Sequence, residues 1–582
     1  MRIIAMILSL WIAWPIANAA DEKVTAEYWS GSMDTGTRLF RFRIEPAGNA
    51  KDSDDRQLVS LDEGNSIFAL NDLHLDAMRL TFALKATKAN YTGVISDDGK
   101  TSTGKWEQAG KTFNLVFHKV SSVPVDRPTE IWSGTLNALI QKLELRVRVY
   151  HRDDGTEDVY FDSVSQKASG FKATRVVDAS QWTIDVVSIG GKFAGTVNSD
   201  KSEVIGKWTQ GGLGFDLTLK RQESLTTDVA PVPNRPQTPT APFPYGVEEI
   251  TFQNETDGLQ LAGTLTIPET DRPCPAVVLI SGSGPQDRDE TLLDHKPFGV
   301  IADYLSRHGI AVLRFDDRGT GASNGDFSTA TSEDFANDAE AAFEFLKSEP
   351  RVSAKNIGLI GHSEGGLIAP IVAARRADVA FIILLAGPGV NGKEILLSQG
   401  QLILRAEGVT DESRFSIQRN TQLALINTIL KGATDATQES LVAEAKKKLS
   451  ELFPEELRTE ANLQSTAAAG IKQLNNPWFR NFLTCEPATQ LQQVKCPVLA
   501  INGEKDVQVD PHLNLPAIQA ALEKGGNSRF KMIEFPGLNH LLQTCTTGGL
   551  SEYSTTEETI APIVLQTISD WIKEISRSGF IK

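Results

Sequence analysis

The chain has 582 residues, more than one hydrophobic core organises, and its 40% apolar and 23% charged content is that of ordinary globular protein. Its 74 acidic against 58 basic residues give a formal net charge of -16 with no basic block, which argues against nucleic acid as a partner. At the start of the chain, Arg2 precedes an apolar run from Ile3 to Ile16, broken only by Ser9 and Pro15, and then Ala17-Asn18-Ala19. That order predicts a signal peptide over residues 1–19, cleaved after Ala19, and hence an exported protein, periplasmic or secreted. The run is shorter than the roughly 20 residues a spanning helix needs, and no later segment is long and apolar enough, so no membrane span is expected in the mature protein.

An internal repeat follows. Tyr28-Trp29-Ser30-Gly31 recurs as Ile131-Trp132-Ser133-Gly134, Gly104-Lys105-Trp106 as Gly206-Lys207-Trp208, and Tyr91-Thr92-Gly93 as Phe193-Ala194-Gly195, all about 102 residues apart. That period suits a duplicated small domain, one copy over 20–122 and the second over 123–222. Leu143 to Val149 alternates apolar and polar residues, the period of a half-buried strand, and Asp97-Asp98-Gly99 and Asp153-Asp154-Gly155 are turn signals. With no helical periodicity before residue 222, two tandem all-β modules, barrel or sandwich, are expected. The repeated tryptophans are read as core rather than as a carbohydrate platform. Six prolines between Pro231 and Pro244 then predict a semi-rigid linker over 223–245.

From residue 246 to 582 strands and helices alternate. Ile250–Phe252 and Leu259–Ile267 flank the Asp257-Gly258 turn, and Ala276–Ile280, Ile310–Phe315, Ile357–Ile360, Phe381–Leu385, Val498–Ile501 and Phe530–Phe535 read as buried strands. Amphipathic stretches such as Phe335–Leu346 and Leu367–Arg375 lie between them. The pattern predicts a mostly parallel sheet with helices on both faces. About ninety helical residues interrupt the alternation after Leu385, with segments at Lys393–Ala406, Glu412–Leu430 and Thr437–Leu452, which predicts a helical cap over about 389–480. Of the four cysteines, Cys274 and Cys496 read as buried strand-edge thiols, while Cys485 and Cys545 have the option of pairing in an oxidising compartment. None has a metal-site spacing.

The chemistry centres on Gly361-His362-Ser363-Glu364-Gly365, a G-x-S-x-G sequence between a buried strand and a helix. A sharp strand-to-helix turn presents the Ser363 hydroxyl as a nucleophile, and the glycines clear the space the turn needs. A serine needs a base and an orienting acid. After Ser363 the chain offers only His512 and His540; His540 follows the last strand and is the expected base, with His512 a surface residue. Asp506, in the turn leaving Val498–Ile501, is the favoured acid, with Asp510 and then Glu504 as competitors. The oxyanion donors expected are the backbone N–H of Glu364 and that of Ser283, with Gly282 the alternative to Ser283.

Ser281-Gly282-Ser283-Gly284-Pro285-Gln286-Asp287-Arg288-Asp289, Arg314-Phe315-Asp316-Asp317-Arg318-Gly319, Gly361 to Gly366, Pro477-Trp478-Phe479, Asn502 to Asp506 and Asn539-His540 together resemble bacterial α/β-hydrolase esterases of the serine aminopeptidase S33 group. The resemblance runs from about Val247 to the C-terminus. It implies the Ser363, Asp506 and His540 triad, the Ser283 and Glu364 oxyanion hole, carboxylesterase activity on a small-molecule ester or acyl substrate, and neither metal nor cofactor. Asp287 and Arg288, with Gly282, are candidates to touch substrate near the predicted mouth. Arg314, Asp317 and Arg318 are expected to lock loops through ion pairs. Glu364 has two readings, capture of a substrate amine or an exposed acidic residue opening a helix. The alternatives to an esterase are an aminopeptidase or thioesterase with the same machinery, or a surface binding protein whose hydrolase is vestigial. Nothing in the sequence sets the oligomeric state.

Overall fold

The structure, a computed structural model, describes residues 28–222 apart from short intervals between strands, and residues 235–577 apart from 432–435, 454, 456–457, 459 and 554. The predicted signal peptide and residues 223–234 of the predicted linker lie outside the described residues. The chain divides into one compact unit ending at Pro231 and a second running from Val232 to Lys582.

The first unit is all β. Its first copy comprises β1 (Tyr28–Asp34), β2 (Leu39–Pro46), β3 (Arg56–Ser60), β4 (Ser66–Ala69), β5 (Asn71–Leu75), β6 (Arg79–Leu84), β7 (Ala89–Ile95), β8 (Thr101–Gln108) and β9 (Lys111–Val120). They pair antiparallel in the order β4-β3-β2-β1-β9-β8-β7-β6-β5. The second copy, β10 (Glu130–Asn137), β11 (Lys142–His151), β12 (Glu157–Ser163), β13 (Ala168–Asp178), β14 (Gln181–Val186), β15 (Gly191–Val197), β16 (Glu203–Gln210) and β17 (Leu213–Arg221), is a closed barrel. The plans coincide. β1 pairs with β9 as β10 pairs with β17, and Tyr91 faces Trp106 as Phe193 faces Trp208. The single strand β13 stands where the first copy has two, β4 and β5, separated at Leu70. Trp29, Trp106, Trp132 and Trp208 are each at most 3% exposed. They fill the two interiors, which removes them as a carbohydrate platform.

The second unit carries an eight-stranded sheet. Its strands are β18 (Tyr245–Asn254), β19 (Leu259–Pro268), β20 (Cys274–Ile280), β21 (Ala311–Phe315), β22 (Val352–His362), β23 (Ile382–Leu385), β24 (Val498–Gly503) and β25 (Phe530–Phe535), in the order β18-β19-β21-β20-β22-β23-β24-β25. β18, β19 and β21 pair antiparallel, and every pairing from β21 onward is parallel. Successive strand residues point to opposite faces. Ala276, Val278 and Ile280 therefore join one core, against α2 (Ser332–Ser348), α3 (Gly365–Arg375) and α10 (Pro511–Lys524). Val277 and Leu279 join the other, against α1 (Pro297–Arg307) and α11 (Pro562–Arg577). Burial on both faces is why these strands read as unbroken apolar runs. Each wholly buried aliphatic side chain contributes about 1.5–3 kcal/mol.

The interruption after β23 is a helical cap: α4 (Gly392–Ala406), α5 (Glu412–Lys431), α6 (Gln438–Leu452), α7 (Glu460–Leu474) and α8 (Pro477–Thr484), ahead of the short α9 (Pro487–Leu491). It has its own core, in which Leu425, Ile429, Ala445, Leu449 and Ile471 are fully buried. Residues 235–244, expected to be linker, instead lie on the second unit. Arg235 donates to the carbonyls of Leu293 and Thr556, and Gln237 bonds Ile560. Their hydrogen bonds hold part of the stretch that its proline content marked as a semi-rigid linker. All four cysteines are free thiols, so Cys485 and Cys545 do not pair; the Cys545 thiol donates instead to the Gly537 carbonyl. Among the described residues, no helix is long and apolar enough to cross a membrane.

Candidate active site

Ser363 stands between β22 and α3 with φ at 51°, a left-handed conformation a side chain adopts only under strain. Surrounding backbone enforces it. The Ser363 N–H donates to the Leu385 carbonyl at 2.8 Å, and the Gly366 N–H closes the turn onto the Ser363 carbonyl. A Cβ on Gly361 would sit 1.9 Å from the Gly365 carbonyl oxygen, and one on Gly365 would sit 2.1 Å from that of Ile280. Only glycine permits so tight a crossing of main chains.

His540 and Asp506 come from the loops that leave β25 and β24. Neighbouring parallel strands end at the same edge, so these loops start side by side, and three bonds weld them: Glu504 N–H to Phe535 carbonyl, Lys505 N–H to Leu538 carbonyl, and Gly537 N–H to Glu504 carboxylate. His540 Nδ1 lies 2.8 Å from Asp506 Oδ2. Asp506 Oδ1 accepts the N–H groups of Gln508 and Val509, each at 2.8 Å, so both carboxylate oxygens are engaged. The competing acids are spent elsewhere. Asp510 caps α10 and accepts the Ser398 hydroxyl, and Glu504 holds Gly537. His512, with a side chain 73% exposed, is on the surface beside Glu534.

Ser363, His540, Gly282, Ser283 and Glu364 line one cleft of about 880 Å³ including its open mouth, which the cap residues Ile395, Leu396, Gln399 and Phe482 also line. Among the described residues the N–H groups of Ser283 and Glu364 have no acceptor, whereas the Gly282 N–H is committed to Glu290 Oε1 at 2.7 Å.

Asp287 and Arg288 do not reach the cleft. Asp287 caps its own turn, taking the N–H groups of Asp289 and Thr291. Arg288 is bound to Asp316, Glu249 and Thr264. These bonds hold both side chains within the loop and its supporting strands, outside the lining of the cleft. Arg314 pairs with Asp289, and Arg318 with Asp338 and Asp257. Among the described residues Asp317 forms no such pair: it is half-buried and accepts the Ser281 hydroxyl and the Gln286 N–H, and desolvation holds its carboxyl well above the ordinary range.

Glu364 is not the exposed residue its position at the head of a helix suggested. It is 2% exposed, and its Oε1 accepts both the Ser332 hydroxyl and the indole N–H of Trp478 in α8. Burial raises its carboxyl above the usual value against the hydrogen bonds that stabilise the anion, Ser283 among their donors. So occupied, it joins elbow and cap. Two residues escaped the sequence reading, Glu290 and His362. His362 Nδ1 lies 2.8 Å from Glu290 Oε1 and its Nε2 lies 3.1 Å from the His540 carbonyl oxygen. Burial by itself would lower the His362 value, but the Glu290 carboxylate beside it and their hydrogen bond prevail and raise it. The available signal was a titratable residue directly before the elbow serine; its acidic partner, 72 positions upstream, has no signature in the chain.

A left-handed serine elbow at the edge of a parallel sheet in this strand order defines the second unit as an α/β hydrolase. Residues 296–544 match the family described as serine aminopeptidase S33, in agreement with the resemblance carried by the motifs. The chain is similar to esterase EstD of Thermotoga maritima, 30% identical over 287 residues, which is 48% of this chain and 58% of that protein; the match thus spans little more than half of the relative's length. Among solved structures, it aligns with the Pyrococcus furiosus esterase Pf2001 at 16% identity and a TM-score of 0.34, covering 59% of this chain and 97% of that one. It also aligns with the hypothetical protein PA2218 of Pseudomonas aeruginosa at 19% identity and a TM-score of 0.35, covering 61% and 99%.

Proposed function

We propose that this protein is an exported serine hydrolase that cleaves carboxylic esters of small molecules through an acyl-enzyme. The observation that carries the reading is the shared cleft: the strained Ser363 and the Asp506-bound His540 line the same cavity. In this mechanism His540 Nε2 takes the Ser363 proton as Oγ attacks the ester carbonyl. The His540 Nδ1–H donates to Asp506, which stabilises the imidazolium that forms. The N–H groups of Ser283 and Glu364 receive the oxyanion. Collapse breaks the bond to the alcohol, which leaves with the proton from His540. Water then adds to the acyl-enzyme by the same route, releasing the acid and restoring Ser363.

The engagement of Glu364 by Ser332 and Trp478 leaves its carboxylate poorly placed to take a substrate amine, which favours the esterase over the aminopeptidase. The test is a panel of p-nitrophenyl esters, acyl thioesters and aminoacyl nitroanilides, with fluorophosphonate labelling and Ser363→Ala as control. Ester turnover and labelling, both abolished in Ser363→Ala, are expected. Turnover of anilides alone would replace the esterase by an aminopeptidase, and a folded protein that neither labels nor turns over would leave a binding protein. Export is tested by the N-terminal residue of the protein recovered from its native host, expected to be Ala20.

A further inference from the structure

We infer that Glu290 and His362 form a resident carboxylate–imidazolium pair that positions the nucleophile, the His540 loop and the oxyanion loop relative to one another. The inference rests on the hydrolase reading of Ser363 and His540. Both ring nitrogens of His362 face acceptors, Glu290 Oε1 on one side and the His540 carbonyl oxygen on the other. A neutral imidazole has one N–H and satisfies one of the two; the cation satisfies both. The proton between Glu290 and His362 belongs on the ring, because imidazole is the stronger base and Glu290 Oε1 already accepts the Gly282 N–H. Glu290 Oε2 is buried with no hydrogen-bond partner among the described residues, so the adjacent cation is what compensates it.

The geometry explains what the pair does. His362 precedes Ser363 in the chain, Gly282 precedes Ser283, and the carbonyl that His362 holds belongs to His540 itself. Three loops that meet at the reacting centre are thus tied by three bonds through two side chains. The loop reaching back from β20 is built to deliver Glu290: its backbone is left-handed at 52°, its N–H is bound to the Asp287 carbonyl, and Arg288 and Asp289 anchor it to Asp316, Arg314 and Lys296. Strain held in place by that many supports belongs with a working site. Glu290 and His362 are positioning residues, since they act through the backbone of others.

The groups facing His362 are Glu290 from the loop after β20, and His540 and Asp506 from the loops after β25 and β24. The His540 ring centroid is 4.9 Å from that of His362. Loss of the His362 proton at high pH leaves one acceptor facing a lone pair, so kcat should fall along an alkaline limb. Glu290→Gln separates charge from geometry. The amide oxygen, in the Oε1 place, keeps the Gly282 bond and accepts the Nδ1–H of a His362 that stays neutral across the range, so the His540 carbonyl faces the Nε2 lone pair at every pH.

The experiment compares ester kinetics of wild type, Glu290→Gln and Glu290→Ala from pH 5 to 10, normalised to sites titrated by fluorophosphonate. The expected result is kcat about 10- to 100-fold lower in Glu290→Ala with KM within threefold, about threefold lower in Glu290→Gln, and no alkaline limb in Glu290→Gln. Histidine-selective 15N spectra at pH 7, assigned with His362→Asn, read the ring directly and remain informative if Glu290→Ala does not fold. A His362 signal with both nitrogens protonated supports the pair. A neutral His362, or a Glu290→Ala profile superimposable on wild type, overturns it. Wild type that neither labels nor hydrolyses esters would fail the hydrolase reading instead, leaving the spectra to decide the protonation on their own.

Discussion

Replacing Asp506 with Asn tests the proposed machinery at its most constrained point. Asp506 Oδ1 is held by two backbone N–H groups and Oδ2 by His540 Nδ1. In an asparagine the side-chain oxygen must take the Oδ1 place, because the Gln508 and Val509 donors tolerate no N–H there. The amide NH2 is then forced toward His540, which presents a lone pair at Nδ1 and keeps its proton on Nε2, pointing at Ser363. A ring in that tautomer cannot accept the serine proton. The expected loss is about 10³–10⁴ in kcat, or about 4–5.5 kcal/mol of transition-state stabilisation, with little change in KM. Stability should hold, since every hydrogen bond at the carboxylate site has a counterpart in the amide. Asp506→Ala should differ: it strands the Gln508 and Val509 N–H groups in a buried loop at about 1–3 kcal/mol each. The assay pairs steady-state hydrolysis of a p-nitrophenyl ester with urea unfolding of both variants. A kcat for Asp506→Asn within tenfold of wild type would refute the tautomer argument and with it the role given to Asp506.

The other expectations follow from equally local features. Gly365→Ala should cost about 3 kcal/mol or more, measured by urea unfolding, because the new methyl meets the Ile280 carbonyl, main chain that cannot swing aside. Arg148→Met in the closed barrel should cost about 3–5 kcal/mol by tryptophan fluorescence, since Arg148 Nε and Nη2 bind the buried Asp162 at 2.7 and 2.8 Å and the variant leaves that carboxylate without its cation. Trp478→Phe removes one of the donors to Glu364 Oε1 and should lower unfolding free energy by about 1 kcal/mol while altering KM more than kcat, read from ester kinetics. His362 has a folded value above its ordinary 6.5, so its contribution is complete below that pH and lost as pH rises through the folded value. Thermal unfolding midpoints should therefore decline on that side more steeply in wild type than in Glu290→Gln.

Much of this protein can be read in one dimension. The duplication shows because equivalent positions carry equivalent burdens: Trp106 and Trp208 fill the same place in two interiors and face Tyr91 and Phe193 across the same strand pair. The sheet shows because strands buried on both faces must be apolar throughout, and the elbow shows because the crossing of main chains at Ser363 admits only glycine at 361 and 365. The cap shows as a stretch too long to be a loop. In all these cases the constraint acts on neighbours in the chain or on a fixed period.

Contacts between distant segments left no such trace. Whether Asp506 or Asp510 faces His540 depended on which oxygen a helix cap consumed. Asp287 and Arg288 looked available for substrate until Asp316 and Glu249 were seen to hold the arginine. Glu364 looked exposed until Trp478 came down from the cap, and proline composition gave no warning that Arg235 and Gln237 are fastened to the second unit. Glu290 carries no motif at all, and its meaning comes from His362, which is 72 residues away. Charge and hydrogen-bonding capacity are properties of single residues, written in the sequence; whether they are spent on a neighbour or kept for a ligand is settled by distance, and folding alone sets distances between loops.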